Sequence, residues 1–122
     1  MAAKSDTSST TYLKFLNLVQ ALRPLTALPV MDPLEERLLN QLAASWHAKK
    51  QVTVLEAMTM SPDASDRTVH RRLQSLKDKG LIELVVDEHD SRIKYISSTA
   101  KARSYFAQLG TAMEEALRGS QG

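Results

Sequence analysis

From Thr11 to Leu22 the apolar residues Tyr12, Leu13, Phe15, Leu16, Val19 and Leu22 recur at three- and four-residue spacing, which places them on one side of a helix. Pro24 and Pro29 interrupt the pattern and make a connector, so residues 11–30 read as an N-terminal helix and linker. Residues 1–10 are small and polar with nothing to bury, which predicts a disordered arm. In MDPLEERLLNQLAASWHAKK, Asp32, Pro33 and Glu35 have the order of an N-cap, a first-turn proline and a capping-box acid. The stripe Leu34, Leu38, Leu42 and Trp46 then carries a helix to about Ala48. The β-branched residues of QVTVLEAMTM would suit a strand, but Thr53 and Glu56 form a second capping box, and the reading is a short helix, Val54 to Met60. SPDA makes a turn, Ser65 caps a helix running to Lys79, and Gly80 closes it. LIELVV and RIKYIS alternate apolar with polar around the polar DEHDS, the pattern of a β-hairpin. Thr99 then caps a last helix with the stripe Ala102, Tyr105, Phe106, Leu109, Met113, Ala116 and Leu117. No internal repeat interrupts this succession.

Composition adds what the pattern leaves open. With 122 residues, 43% hydrophobic and 25% charged, the chain suits one compact core. It contains no cysteine, which excludes disulfides, cysteine zinc sites and thiol redox sensing. No apolar run is long enough to cross a bilayer and the N-terminus lacks a secretory apolar core, so the expected location is the cytoplasm, away from membranes. The net charge of +2 is unevenly spread: residues 1–64 carry six Lys/Arg against six Asp/Glu, whereas residues 65–80 carry five against two. Positive charge is focused on one helix.

That helix has two faces. Val69, Leu73 and Leu76 fall on one side and can pack on the helices before it, while Asp66, Arg67, His70, Arg71 and Gln74 point elsewhere. A short helix, a tight turn and a second helix offering polar side chains from its first turns is the layout of a helix-turn-helix that enters the major groove. Arginine suits this task because its planar fork can grip a phosphate or the acceptor edge of guanine. Ser65, Thr68 and the helix N-terminal amides can add phosphate contacts that set register. A basic helix with a merely solvated face is the competing explanation.

The order TVLEAMTMSPDASDRTVHRRLQSLKDKGLIEL followed by DSRIKYISSTAKA resembles the winged helix-turn-helix of the MarR family of bacterial transcription regulators, over roughly Leu34 to Phe106. Asp90 and Arg92 stand in the D-x-R of the family's wing, with Thr99 at the spacing of the threonine after the second wing strand. The resemblance implies a wing arginine at or near the minor groove, a recognition helix over Ser65 to Lys79 and terminal helices that pair two subunits. The sequence departs from the family in its short length, in Ser98 where an apolar residue is usual, in Ala102 where glycine is frequent, and in the loop MSPDA.

The expectation is therefore a mainly α fold with a small β-hairpin wing: a winged helix-turn-helix over residues 31–98, flanked by dimerising helices, the second over residues 99–122. Its partners are double-stranded DNA and a second copy of itself, and its activity is sequence-specific binding in transcription regulation. Ser65, Asp66, Arg67, Thr68, His70, Arg71 and Gln74 would meet bases or backbone. Arg72 and Lys77 would supply field or phosphate contacts, and Arg92 and Lys94 would serve the wing, with Asp90 orienting Arg92. Two alternatives stay open: a winged-helix module that binds another protein without functional DNA contact, and a plasmid or phage replication or partition factor.

Other chemistry finds little support. His47, His70 and His89 lie on different elements without a shared ligand spacing, so no metal or other cofactor is expected. Glu35 with Glu36 and Glu114 with Glu115 diverge on their helices and read as solvated faces rather than catalytic pairs. Neither a glycine-rich phosphate loop nor a nucleophile elbow occurs, and the protein is not expected to be an enzyme. Trp46, Met58 and Met60 could line a pocket for a small-molecule effector of unknown identity, although core packing is the commoner fate of such residues.

Overall fold

The computed structural model describes residues 2–25 and 29–121. Among them, α1 (Ala2–Leu25), α2 (Pro33–His47), β1 (Val52–Thr53), α3 (Val54–Ala57), α4 (Asp66–Asp78), β2 (Ile82–Val86), β3 (Lys94–Ser98) and α5 (Ala100–Gln121) follow in order. The strands form one antiparallel sheet in the order β1-β3-β2. This is a mainly α winged helix-turn-helix with extra helices at both ends. By their internal contacts the residues fall into two units: Val30–Arg103 holds the helix-turn-helix and sheet, and the described parts of 1–29 and 104–122 hold α1 and most of α5.

Local chemistry explains the boundaries. Asp32 Oδ1 accepts the Glu35 N–H at 2.8 Å while Glu35 Oε1 accepts the Asp32 N–H at 3.0 Å, closing the capping box of α2. Thr53 and Glu56 repeat the device at α3, with both backbone donors satisfied at 3.1 Å. Ser65 Oγ accepts the Thr68 N–H at 3.1 Å and starts α4. At its far end the Gly80 N–H donates to the Lys77 carbonyl and the Leu81 N–H to the Leu76 carbonyl. This Schellman closure requires the positive φ of 78° that glycine adopts freely. Lys49 closes α2 in the same way at φ 63°, without a glycine's freedom.

Three expectations are corrected. The arm foreseen over residues 1–10 is helical from Ala2, because no proline or glycine interrupts it and Thr11 Oγ1 can donate back to the Thr7 carbonyl at 3.0 Å. The helix foreseen over Val54 to Met60 ends at Ala57, where the Thr59 and Met60 N–H groups turn to carbonyls three residues back. The two residues before it form a strand, Val52 opposite Ile96 and Thr53 opposite Tyr95, so the hairpin is joined by a third strand. Of the connector foreseen before α2, residues 26–28 lie outside the described residues.

Leu38, Leu39 and Leu42 of α2 and Val69, Leu73 and Leu76 of α4 are buried, as are Val52, Leu81, Ile82 and Ile96 around the sheet. Each such side chain contributes about 1.5–3 kcal/mol of burial free energy. The α2 stripe also reaches the wing, since the Trp46 indole N–H donates to the Ile96 carbonyl at 3.0 Å. Trp46 thus ties α2 to β3.

Glu35, read from the sequence as part of a solvated face, is buried with 4% of its surface exposed. Its carboxylate accepts the Ser75 hydroxyl at 2.7 Å and the Lys79 ammonium at 2.7 and 2.8 Å, in addition to the cap of its own helix. Burial pushes the carboxyl up, but the bonds from Lys79, the Asp32 amide and Ser75 together outweigh it and hold the group below its ordinary value of 4.5. A folded value below the unfolded one means that stabilisation is complete above about pH 4.5 and is lost as pH falls through the folded value. Glu35→Gln should therefore lower the unfolding free energy by about 1–3 kcal/mol at neutral pH. In urea titrations repeated down to acid pH, the gap between variant and wild type should narrow below that point.

Candidate nucleic-acid interface

The sides of α4 have different fates. Val69, Leu73 and Leu76 point into the core. On the flank toward α2, Ser75 and Lys79 meet Glu35, and Arg72 Nε lies 2.6 Å from Asp32 Oδ2 as an ion pair. The arc left over carries Asp66, Arg67, His70, Arg71 and Gln74, all exposed, with Lys77 at its edge. No carboxylate among the described residues pairs with Arg67 or Arg71. Gln74 Nε2 donates to Asp78 Oδ1 at 3.1 Å, and the Ser65 hydroxyl donates to Thr68 Oγ1 at 2.9 Å. Ser65 and Thr68 thus already serve the cap.

Three residues take roles that the sequence reading did not give them. Arg72 was expected to serve DNA through field or phosphate contacts, yet it leans on Asp32 because it sits on the flank of α4 that faces the α2 cap. Lys79 and Glu35 position α4, a role hidden from local pattern by their separation of 44 positions. Further bonds tie the end of α4 to the start of α5: the Thr99 hydroxyl donates to the Gly80 carbonyl at 2.6 Å, and Lys101 Nζ donates to the Lys79 carbonyl at 2.7 Å.

The wing is ordered by its acids. Asp87 accepts the His89 N–H at 2.9 Å, the Asp90 N–H at 3.0 Å and the Tyr95 hydroxyl at 3.0 Å. The bonds from His89 and Tyr95 hold its carboxyl below the usual range. Asp90 in turn accepts the Arg92 backbone N–H and both Nε and Nη2 of its guanidinium, each at 3.0 Å. These bonds, the side-chain ones foremost, lower the Asp90 carboxyl and raise Arg92. Arg92 remains 88% exposed, and its other N–H donors stay uncommitted. A groove of about 510 Å³ between α4 and the wing brings His70 together with Arg92 and Lys94 over Val54, Leu55 and Ile93.

The helices outside this unit carry apolar surface. Tyr12 and Leu13 of α1 and Met113 and Leu117 of α5 are more than half exposed, at 59, 57, 58 and 52%. Among the described residues no group of His, Asp or Glu is placed to hold a metal ion, and no helix is long and apolar enough to cross a membrane.

No protein-family model and no curated protein matches the sequence. Solved structures do. The structure of Staphylococcus aureus MepR bound to ethidium bromide aligns at a TM-score of 0.67 and 18% identity, over 93% of this chain and 74% of that one. A MarR-like transcriptional regulator of Thermotoga maritima aligns at 0.57 and 21% identity, over 85% of this chain and 78% of that one. Bordetella bronchiseptica BpsR, whose DNA binding is regulated by 6-hydroxynicotinic acid, aligns at 0.52 and 14%, over 92% of this chain and 74% of that one. The fold is that of MarR-like winged-helix regulators.

The wing's acid network has its own test. Tyr95 ionises above the usual tyrosine value of 10.0, chiefly because its hydroxyl donates to Asp87. In an alkaline absorbance titration, Asp87→Asn should bring the phenolate transition of Tyr95, identified as the one that Tyr95→Phe removes, back toward the ordinary value.

Proposed function

We propose that the protein is a sequence-specific, homodimeric double-stranded-DNA-binding transcription regulator. The observation that carries this reading is the exposed arc of α4, where Arg67 and Arg71 have no acidic partner among the described residues while neighbouring Arg72 and Lys79 are engaged by α2. A surface kept open beside cations that are tied down suits an outside ligand rich in acceptors, and the major groove displays such acceptors at a helix's width. Arg67, His70, Arg71 and Gln74 are assigned to bases, Asp66 and Lys77 to the margins of the contact, and Ser65 and Thr68 to phosphates beside the helix start. Arg92 and Lys94 are assigned to the minor groove and its backbone, whereas Arg72, its charge balanced by Asp32, is left to orient α4.

Self-association follows from the apolar residues of α1 and α5. Tyr12, Leu13, Met113 and Leu117 are exposed, and all but Leu13 line a groove together with Phe15 and Ala116. A second copy can cover them by two-fold pairing, and two recognition helices then address half-sites about one helical turn apart. The rival reading, a winged-helix module that binds another protein without functional DNA contact, would be marked by buried or acid-paired Arg67 and Arg71, or by binding to random duplex no stronger than that of a charge-neutral control. The likeness to a transcriptional regulator of Thermotoga maritima and to the DNA-binding BpsR supports the DNA reading, and ethidium bromide bound to MepR and the 6-hydroxynicotinic acid that regulates BpsR support a small organic effector. Non-enzymatic action in the cytoplasm is part of the same proposal.

Selection of bound duplexes from a random or genomic pool should enrich a palindrome. On that duplex Arg71→Ala should cost about 1–3 kcal/mol and relax preference at one position of each half-site. Lys94→Ala should instead weaken all sequences alike and reduce the salt slope by about one unit per subunit. Absence of any enriched sequence would remove the proposal.

A further inference from the structure

The acids that flank the basic helix are occupied. Asp32 and Glu35 hold Arg72 and Lys79, Glu56 closes the cap of α3, Asp63 pairs with Arg37, and Asp78 accepts the Gln74 amide. Asp87 and Asp90 order the wing. Asp66 is different. It is the first residue of α4, it is exposed, and no cation, amide or hydroxyl among the described residues binds its carboxylate. Capping at that end already belongs to Ser65, whose hydroxyl accepts the Thr68 N–H at 3.1 Å. Asp66 stands instead on the open arc, beside Arg67 and one turn before His70.

A carboxylate on a surface that meets DNA has two fates. Against phosphate it is repelled, and against a base edge it can only accept, since the ionised group has no proton to donate. Two bases display an amino donor in the major groove. Adenine sets its N6 amino group beside the N7 acceptor, which turns a lone pair toward the carboxylate, whereas cytosine sets its N4 amino group beside an apolar C5–H. Cytosine is the base that Asp66 matches.

Resting on the DNA-binding function proposed above, we infer that Asp66 is a specificity-determining residue whose carboxylate accepts a hydrogen bond from the N4 amino group of one cytosine in each half-site. The N-terminal residues of a helix in the major groove are the ones that meet base edges. Arg67, next in the chain, supplies the donors that the paired or neighbouring guanine accepts. With any other base at that position the carboxylate faces acceptors or a methyl group, or adenine's paired donor and acceptor, and its charge opposes binding. Asp66 therefore selects its base both by bonding to cytosine and by penalising the alternatives.

The test uses the full-length protein. Duplexes are selected from a random pool by the wild type, by Asp66→Asn and by Glu83→Gln, which removes the same charge from an exposed site on β2. The wild type and Glu83→Gln should enrich a motif with a fixed cytosine in each half-site. Asp66→Asn, whose amide both donates and accepts and so suits adenine, should lose that preference by about tenfold or more while the rest of the motif persists. Each cytosine of the motif is then replaced in turn by N4-methylcytosine, which puts a methyl group where the major-groove hydrogen stood, and affinity is read by fluorescence anisotropy. At one position per half-site the change should weaken the wild type about tenfold and leave Asp66→Ala unaffected. The modified duplex probes the wild-type chain itself, so this result does not depend on the folding of a variant. An Asp66→Asn variant that selects the wild-type motif, or a wild type that binds every N4-methylated duplex as tightly as the plain one, overturns the inference and leaves the DNA-binding function in place. A wild type that enriches no sequence removes both.

Discussion

Glu35 is buried where α2 begins, and its two oxygens are divided among the α2 cap, the Ser75 hydroxyl and the Lys79 ammonium, so the relation of α2 to α4 rests on a charge that cannot be left unpartnered. Hydrophobic packing alone tolerates small rotations of one helix on another, because leucine contacts are not directional. Directed bonds to a carboxylate are less forgiving. Arg72 and Asp32 add a second pair on the same flank, in line with the first along α4. The rotation of α4 about its own axis is thereby specified, and with it the set of side chains that remains outside.

That specification gives the basic helix its division of labour. Five cations in one stretch could act as an undifferentiated positive patch, but α2 withdraws Arg72 and Lys79, leaving Arg67, Arg71 and Lys77. On the opposite flank His70 turns toward the wing and shares a groove with Arg92 and Lys94. The wing has a comparable economy, since Asp87 closes the turn and Asp90 grips the arginine, so neither acid is idle negative charge.

Much of this was legible from residue order because its causes are local. Capping boxes at Asp32 and Thr53, the Ser65 cap, the glycine closure and the alternation of the wing strands all depend on residues within a few positions of one another. The two-residue β1 was missed because its reason for existing is Ile96 and Tyr95, more than forty residues away. Glu35 was misjudged for the same reason, since its short-range partner was visible and its long-range partners were not. The start of α1 was missed because a helix of small polar residues shows no apolar stripe. Arg72 could be distinguished from Arg71 only through the neighbour that each flank meets.

The forked grip of Asp90 on Arg92 has a consequence for timing. A free arginine explores many rotamers and must surrender most of them when it docks, but this one has already surrendered several while remaining open to solvent. Preorganisation of this kind favours long residence on a target over fast capture, because the side chain cannot sweep widely for acceptors but has little freedom left to regain by letting go.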